Sequence, residues 1–344
     1  MNRTRSQSAS PGVLALAATV AAFLALAPPA GAQDNESPDP FDVAAAAYDS
    51  AQTNEAKLQV VRDFLADYPE HPDVPTVVRV GARLLSDEMH DHAAAVALAE
   101  RQLEQTRDPE LVRSIQEILI DLFARPAYAD RLEKLVGEIY DPAKMSFSEH
   151  LNVIQAAAGA EAWRLVDEHC AAAQPLANAE TFVADYPDRE FTAEYAAEAG
   201  RNREGLLDTF VGWSAANRGD TEFAVRMYKQ AAKDLRHSFL GLPTNDLYRY
   251  WGETLVMAGE IDEGLRKLTL AAIWGNDETA AETARSVFAE DRAGQDFDAY
   301  LWRTRLESAR SMVDFSAKDY DGDLHAYEDA RGRKATLLAF WFPT

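Results

Sequence analysis

Between about residue 43 and residue 310, apolar side chains recur every three to four positions. Spacing of that kind lines one face of a helix and gives a strand no consistent inner side, so it restricts the region to helices packed on helices. Val61, Phe64, Leu65 and Tyr68 form one such face. Ile115, Ile118, Leu119 and Leu122 form a second, and Leu132, Leu135 and Ile139 a third. Tyr68-Pro69, Tyr186-Pro187 and Leu242-Pro243 divide the region into segments of helix length, because a proline pushes the residue before it out of the helical conformation. With 47% hydrophobic and 10% aromatic residues, the chain can bury a core.

The ends have a different character. Arg3 and Arg5 precede an apolar run of fifteen residues, Val13 to Ala27, broken only by Thr19; Pro28-Pro29 and Ala30-Gly31-Ala32 follow. A basic start, a short apolar stretch and a small-x-small site predict a secretory signal peptide over 1–32. The run is short of the roughly 20 residues that a membrane-spanning helix needs. The expected location is therefore the periplasm or cell envelope, with no membrane span after cleavage. Residues 33–42 are polar and proline-bearing and read as a linker. Acidic residues number 57 against 34 basic ones, a net charge of −23, which argues against nucleic acid as a partner.

Two echoes run through the helical region, predicted here as residues 43–310. Phe64-Leu65-Ala66-Asp67-Tyr68-Pro69 returns as Phe182-Val183-Ala184-Asp185-Tyr186-Pro187. Gly219-Asp220, followed by Ala224, Tyr228 and Ala231, returns 40 residues later as Gly259-Glu260, followed by Gly264, Leu268 and Ala271. Tyr248, Trp251, Gly252 and Leu255 precede the second turn. This pattern resembles the tetratricopeptide repeat, whose period is about 34 residues; the polar stretch Arg236 to Asp246 can absorb the difference. The resemblance is clearest over 210–275. It implies an α-solenoid that presents a surface to a protein client or redox partner.

Few residues offer chemistry. Cys170 is the only cysteine. It cannot form an internal disulfide, and a lone thiol of this kind reads as a small buried hydrophobe. Glu88-Met89-His90-Asp91-His92 gathers ligand-type residues, but histidines two apart project about 200° apart on a helix, so the segment reads as a solvated turn. Asp319-Tyr320-Asp321-Gly322-Asp323 has the look of a calcium loop, yet the frame puts Ala317 at its first ligand position. Asp-Gly between extended runs predicts a hairpin turn instead. No phosphate-cradling glycine loop, metalloprotease helix or serine-elbow pattern occurs, and the reading calls for no cofactor and no metal.

From about residue 312 the pattern shifts to extended segments. Asp314-Phe315 opens them, Asp321-Gly322 turns them, and Asp329 and Arg331-Gly332 lead into the apolar run Ala335 to Phe342. Such a run reads as a strand buried on both faces. The order of these residues resembles the start of TlpA-like proteins, exported disulfide oxidoreductases of the thioredoxin fold. In that family Phe-Trp at the end of the strand stands just before the redox Cys-x-x-Cys. Here Phe340, Trp341, Pro343 and Thr344 are the flanking residues; no catalytic residue is present, and the first is expected directly after Thr344. An in-frame UGA for selenocysteine, a frameshift or an assembly break would each account for that position.

The expected architecture is thus mainly α: a tetratricopeptide-like solenoid over 43–310, then the first hairpin and first buried strand of an α/β thioredoxin-like domain over 311–344. The resemblance implies an exported thiol–disulfide oxidoreductase that is inactive over these 344 residues. The alternative is a non-enzymatic periplasmic protein-binding scaffold.

Overall fold

The structure is a computed structural model that describes residues 38–235, 244–308, 316–318 and 324–326. The signal peptide expected over 1–32 lies outside the described residues. The protein is mainly helical, and its described residues divide into two units between Gln295 and Asp296. Among them no helix is long and apolar enough to cross a membrane.

The first unit is an array of helices, most of them begun by a side-chain cap. Helix α1 (Pro40–Ser50) starts inside the stretch read as a linker, because Asp39 accepts a hydrogen bond from the Phe41 amide and Pro40 occupies the first turn, where its missing N–H costs nothing. Then come α2 (Asn54–Asp67), capped by Thr53, and α3 (Val74–Arg83), which runs into a π-helical turn at Leu84–Glu88. Helices α4 (His92–Gln105) and α5 (Pro109–Leu122) are capped by Asp91 and Asp108. They are followed by α6 (Ala129–Ile139), α7 (Phe147–Gly159) and α8 (Trp163–Ala173). At the start of α7, Ser146 and Glu149 cap each other's amides.

Most of the predicted apolar faces are buried. Val61, Phe64 and Leu65, all four residues from Ile115 to Leu122, and Leu132 with Leu135 belong to one core, while Ile139 is half-buried against it. Tyr68 departs from its face and is 43% exposed, because the chain leaves the helical conformation there, at the proline stop.

The second half is built from paired helices. A short α9 (Ala179–Ala184) leads to the long α10 (Ala193–Asn217), which folds back through α11 (Thr221–Asp234). Helix α12 (Thr244–Met257) folds back through α13 (Ile261–Gly275), and α14 (Glu278–Asp291) follows. The two turns are alike bond for bond. Gly219 and Gly259 have φ of 90° and 84°, and their amides donate to Ala216 and Val256 at 3.0 Å. The following amides, of Asp220 and Glu260, reach back to Ala215 and Leu255 at 3.0 and 2.9 Å. This is a Schellman ending, and its left-handed position takes glycine at no steric cost.

The helix contacts repeat with the same register. A Cβ on Gly212 would lie 2.8 Å from the Tyr228 ring, and one on Gly252 would lie 2.7 Å from Leu268. Both glycines let the backbones close until a large residue from the returning helix packs across the gap. Tyr228, Trp251 and Tyr248 form a row of rings, and the Lys267 ammonium sits 3.6 Å from the centre of Trp251.

The second unit, taken by itself, contains α15 (Phe297–Ser308) and two short strands, β1 (Ser316–Lys318) and β2 (Leu324–Ala326). The strands pair antiparallel with Ala317 opposite His325. They flank the Asp321-Gly322 segment, and residues 319–323 lie outside the described residues. No thioredoxin-type α/β portion, the fold expected over 311–344, is visible among the described residues. The run Ala335 to Phe342 lies outside them.

Candidate docking groove

A groove of about 720 Å³ opens between α12, the start of α13, and α14. Helix α14 divides its residues between two faces. Ala280, Ala284 and Phe288, four apart, are buried at 0–2% exposure. The stripe through Thr279, Thr283, Ser286 and Glu290 lines the groove instead. Val256 and Val287 supply apolar wall, and Glu253, Glu282, Glu290 and Asp291 supply carboxylates. No lysine or arginine stands among the described lining residues. Asp291 shares the Arg292 guanidinium, 3.4 Å away, with Asp262.

The walls are fixed by one buried ion pair. Arg249 of α12 is 7% exposed; its Nε lies 3.0 Å from Asp277 Oδ2, and its Nη2 donates to Asp246 at 2.7 Å. Asp277 also caps α14, accepting from the Ala280 amide at 2.9 Å. One carboxylate thus sets both where α14 begins and how far it stands from α12. An acidic cleft of this volume with apolar walls suits a polypeptide segment that carries cations beside apolar side chains.

Of the residues singled out in the sequence, the described ones lie on separate elements, Cys170 in α8 and His92 at the start of α4. Phe340, Trp341, Pro343 and Thr344 lie outside the described residues, as does the Asp319–Asp323 segment. Cys170, in α8, is 2% exposed, and burial, reinforced by Asp167 and Asp208, pushes its thiol up to about 12. It is therefore a protonated, sequestered thiol and not a nucleophile.

The Glu88–His92 segment is a turn only in part. His90 takes the left-handed conformation, with φ of 55°, but His92 opens α4 and is half-buried. Its Nε2 is 2.7 Å from the Leu122 carbonyl, which can only accept, so Nε2 carries the proton and Nδ1 accepts from the Ser86 hydroxyl at 3.1 Å. Burial lowers the His92 pKa. This ring is a neutral peg between the π-helical turn and the end of α5, where the sequence suggested a solvated side chain. Among the described residues, no group of three or more metal-ligating side chains forms.

Sequence reading missed a buried histidine pair. His150 Nε2 is 3.2 Å from the Pro142 carbonyl, and His150 Nδ1 is 3.0 Å from His169 Nδ1. The carbonyl again fixes the tautomer: His150 donates through Nε2, so its Nδ1 accepts the proton held by His169 Nδ1. Desolvation, and then the neighbouring His150, lower the His169 pKa to about 4. Burial lowers that of His150 as well.

No family model and no curated protein matches this chain.

Proposed function

We propose that the chain belongs to an exported thiol–disulfide oxidoreductase of thioredoxin-like type, whose helical region is a tetratricopeptide-like docking domain. The observation that carries this reading is the ordered resemblance over the last 33 residues, from Asp314-Phe315 through Asp321-Gly322 and Arg331-Gly332 to Phe340-Trp341. The antiparallel pairing of β1 and β2 supports it, since the resemblance expects a hairpin there. The repeat reading of the helical region is supported by the 40-residue correspondence of glycine turns and close helix contacts.

In such a domain the redox pair opens a helix, whose N-terminal amides and dipole lower the attacking thiol's pKa. That thiolate attacks a substrate disulfide, one substrate sulfur leaves as a thiolate, and the second cysteine then displaces the other. The present residues supply no such pair. The 344-residue chain is expected to show no reduction of insulin disulfides. A longer product in which a thioredoxin-type Cys-x-x-Cys follows Thr344 is expected to show it. Absence of activity in that longer product, together with a genomic sequence that encodes no thioredoxin-type continuation in any frame, would leave the scaffold reading.

The acidic groove supports a docking role under either reading. Glu282→Gln with Glu290→Gln is expected to weaken capture of a lysine-bearing peptide several-fold in low salt. Raising the salt should erase the difference, because exposed charges more than a Debye length (about 8 Å) apart are screened at physiological ionic strength. Calorimetric titration at two ionic strengths checks this.

A further inference from the structure

The Phe-x-Ala-Asp-Tyr-Pro echo is a structural repeat, and its two copies differ in what covers them. In each copy a helix ends at Tyr-Pro and a turn closes behind it. The Tyr68 carbonyl accepts from the His71 amide at 3.1 Å, and the Tyr186 carbonyl accepts from the Arg189 amide at 3.1 Å. In each the returning helix approaches through a glycine: a Cβ on Gly81 would lie 2.7 Å from Val61, and one on Gly200 would lie 2.7 Å from the Ala179 backbone. The phenylalanine and tyrosine rings stand 5.5 Å apart in the first copy and 5.3 Å apart in the second.

In the first copy, α1 lies over the aromatic face. Phe41, in its first turn, packs edge-on against Phe64 at 6.2 Å, and the N-cap carboxylate of Asp39 is 3.4 Å from His71 Nε2. Phe64 and Leu65 are 3% and 4% exposed there. In the second copy the counterpart of Leu65 is Val183, which is 41% exposed, and Phe182 is only half-buried. Among the described residues, the ring neighbours of Phe182 are Tyr186, Phe191 and Tyr195, with Arg203 over its face, and none comes from a covering helix. Tyr195 is itself 53% exposed, so the apolar surface extends outward. The counterpart of His71 is Arg189, whose guanidinium is 5.7 Å from the Tyr186 ring centre.

We propose that this second face, Phe182, Val183, Tyr186 and Tyr195 with Arg189 at its edge, docks the N-terminal turn of a helix from a partner protein. That helix carries an acidic N-cap and an aromatic residue two positions on, the chemistry of Asp39-Pro40-Phe41 in the first copy. The aromatic side chain packs on Phe182 and Val183, and the cap carboxylate faces Arg189, a permanent cation where the first copy has a histidine. The exposed acids Asp188, Glu190 and Glu194 confine negative charge on the partner to that cap. A second copy of the chain fits poorly: it carries a net charge of −23, and its own Asp39-Pro40-Phe41 is already engaged.

The test uses the full chain and a fluorescent, end-capped peptide of residues 38–51, titrated by anisotropy. Binding is expected, and it should weaken about tenfold with Val183→Glu, with Arg189→Glu, and with Phe41→Ala in the peptide. Both chain positions are exposed, so melting curves should match the parent. Three results would overturn the proposal: no binding, affinity unchanged in both chain variants, or loss with His71→Gln alone, which would mean that the peptide displaces α1. Self-association abolished by Val183→Glu would assign the face to a second copy and overturn it as well.

Discussion

Replacing Arg249 with methionine is expected to cost about 3–5 kcal/mol of the stability of the helical unit, as breaking a buried ion pair does when one charge stays behind. Asp277 is 9% exposed, and its Oδ2 would lose the guanidinium 3.0 Å away. The pair itself need not be worth that much. Its desolvation cost is large, so the double variant Arg249→Met/Asp277→Asn should recover a good part of the loss. Asparagine also keeps the cap on Ala280. Arg249→Lys should recover less, because one ammonium cannot reach Asp246 and Asp277 through a planar fork. Urea unfolding of the three variants measures this, and equal stability of the single and double variants would remove the ion pair from the account. The parent's grip on a cationic peptide should fall in Arg249→Met as well, since the same pair sets the groove's width.

The second large effect is loss of stability in mild acid. His169 has its pKa lowered to about 4 by burial, against an ordinary value of 6.5. The unfolded chain therefore binds this proton first. The stabilisation is fully present above about pH 6.5, falls as the pH drops, and is exhausted near pH 4. At about 1.4 kcal/mol per unit, the loss is on the order of 3 kcal/mol. The partner ring adds to the sensitivity: burial lowers the His150 pKa too, and a proton added at His150 Nδ1 would face the one on His169 Nδ1 across 3.0 Å. Asp208 acts in the opposite direction. Burial, then Asp234 and Glu204, raise its pKa to about 6, so its penalty is present at neutral pH and is relieved as acid protonates it. The two overlap between pH 4 and 6.5 and partly cancel. Asp208→Asn should therefore steepen the acid loss, and His169→Gln should flatten it. Melting temperatures across pH 4–7.5 check both signs.

Helix content was legible because its signals are local. Asp, Thr and Ser stand before many of the helices, and a glycine ends the first helix of each pair, at Gly219 and Gly259, where the chain turns left-handed. The 40-residue echo showed itself because each turn and each close contact needs a small residue at a set place, as at Gly212 and Gly252. The groove was not legible. Val256 and Val287 carry no mark that separates a groove wall from a core, and Arg249 meets Asp277 across 28 positions of sequence with no spacing rule to announce it. The histidine pair was hidden for the same reason: His150 and His169 lie on different helices and meet only when α7 packs on α8. His92 misled because most of the residues just before it are polar, while its partners in space, Ser86 and Leu122, are not its neighbours.

The burial of Cys170 has a practical side. The chain's one sulfhydryl is shut away and protonated, so maleimides and spin labels have no native target on the folded protein. A cysteine introduced at Glu282 or at Val183 would then be the single labelled position. Distances and dye environments measured from it would report on the groove or on the aromatic face alone.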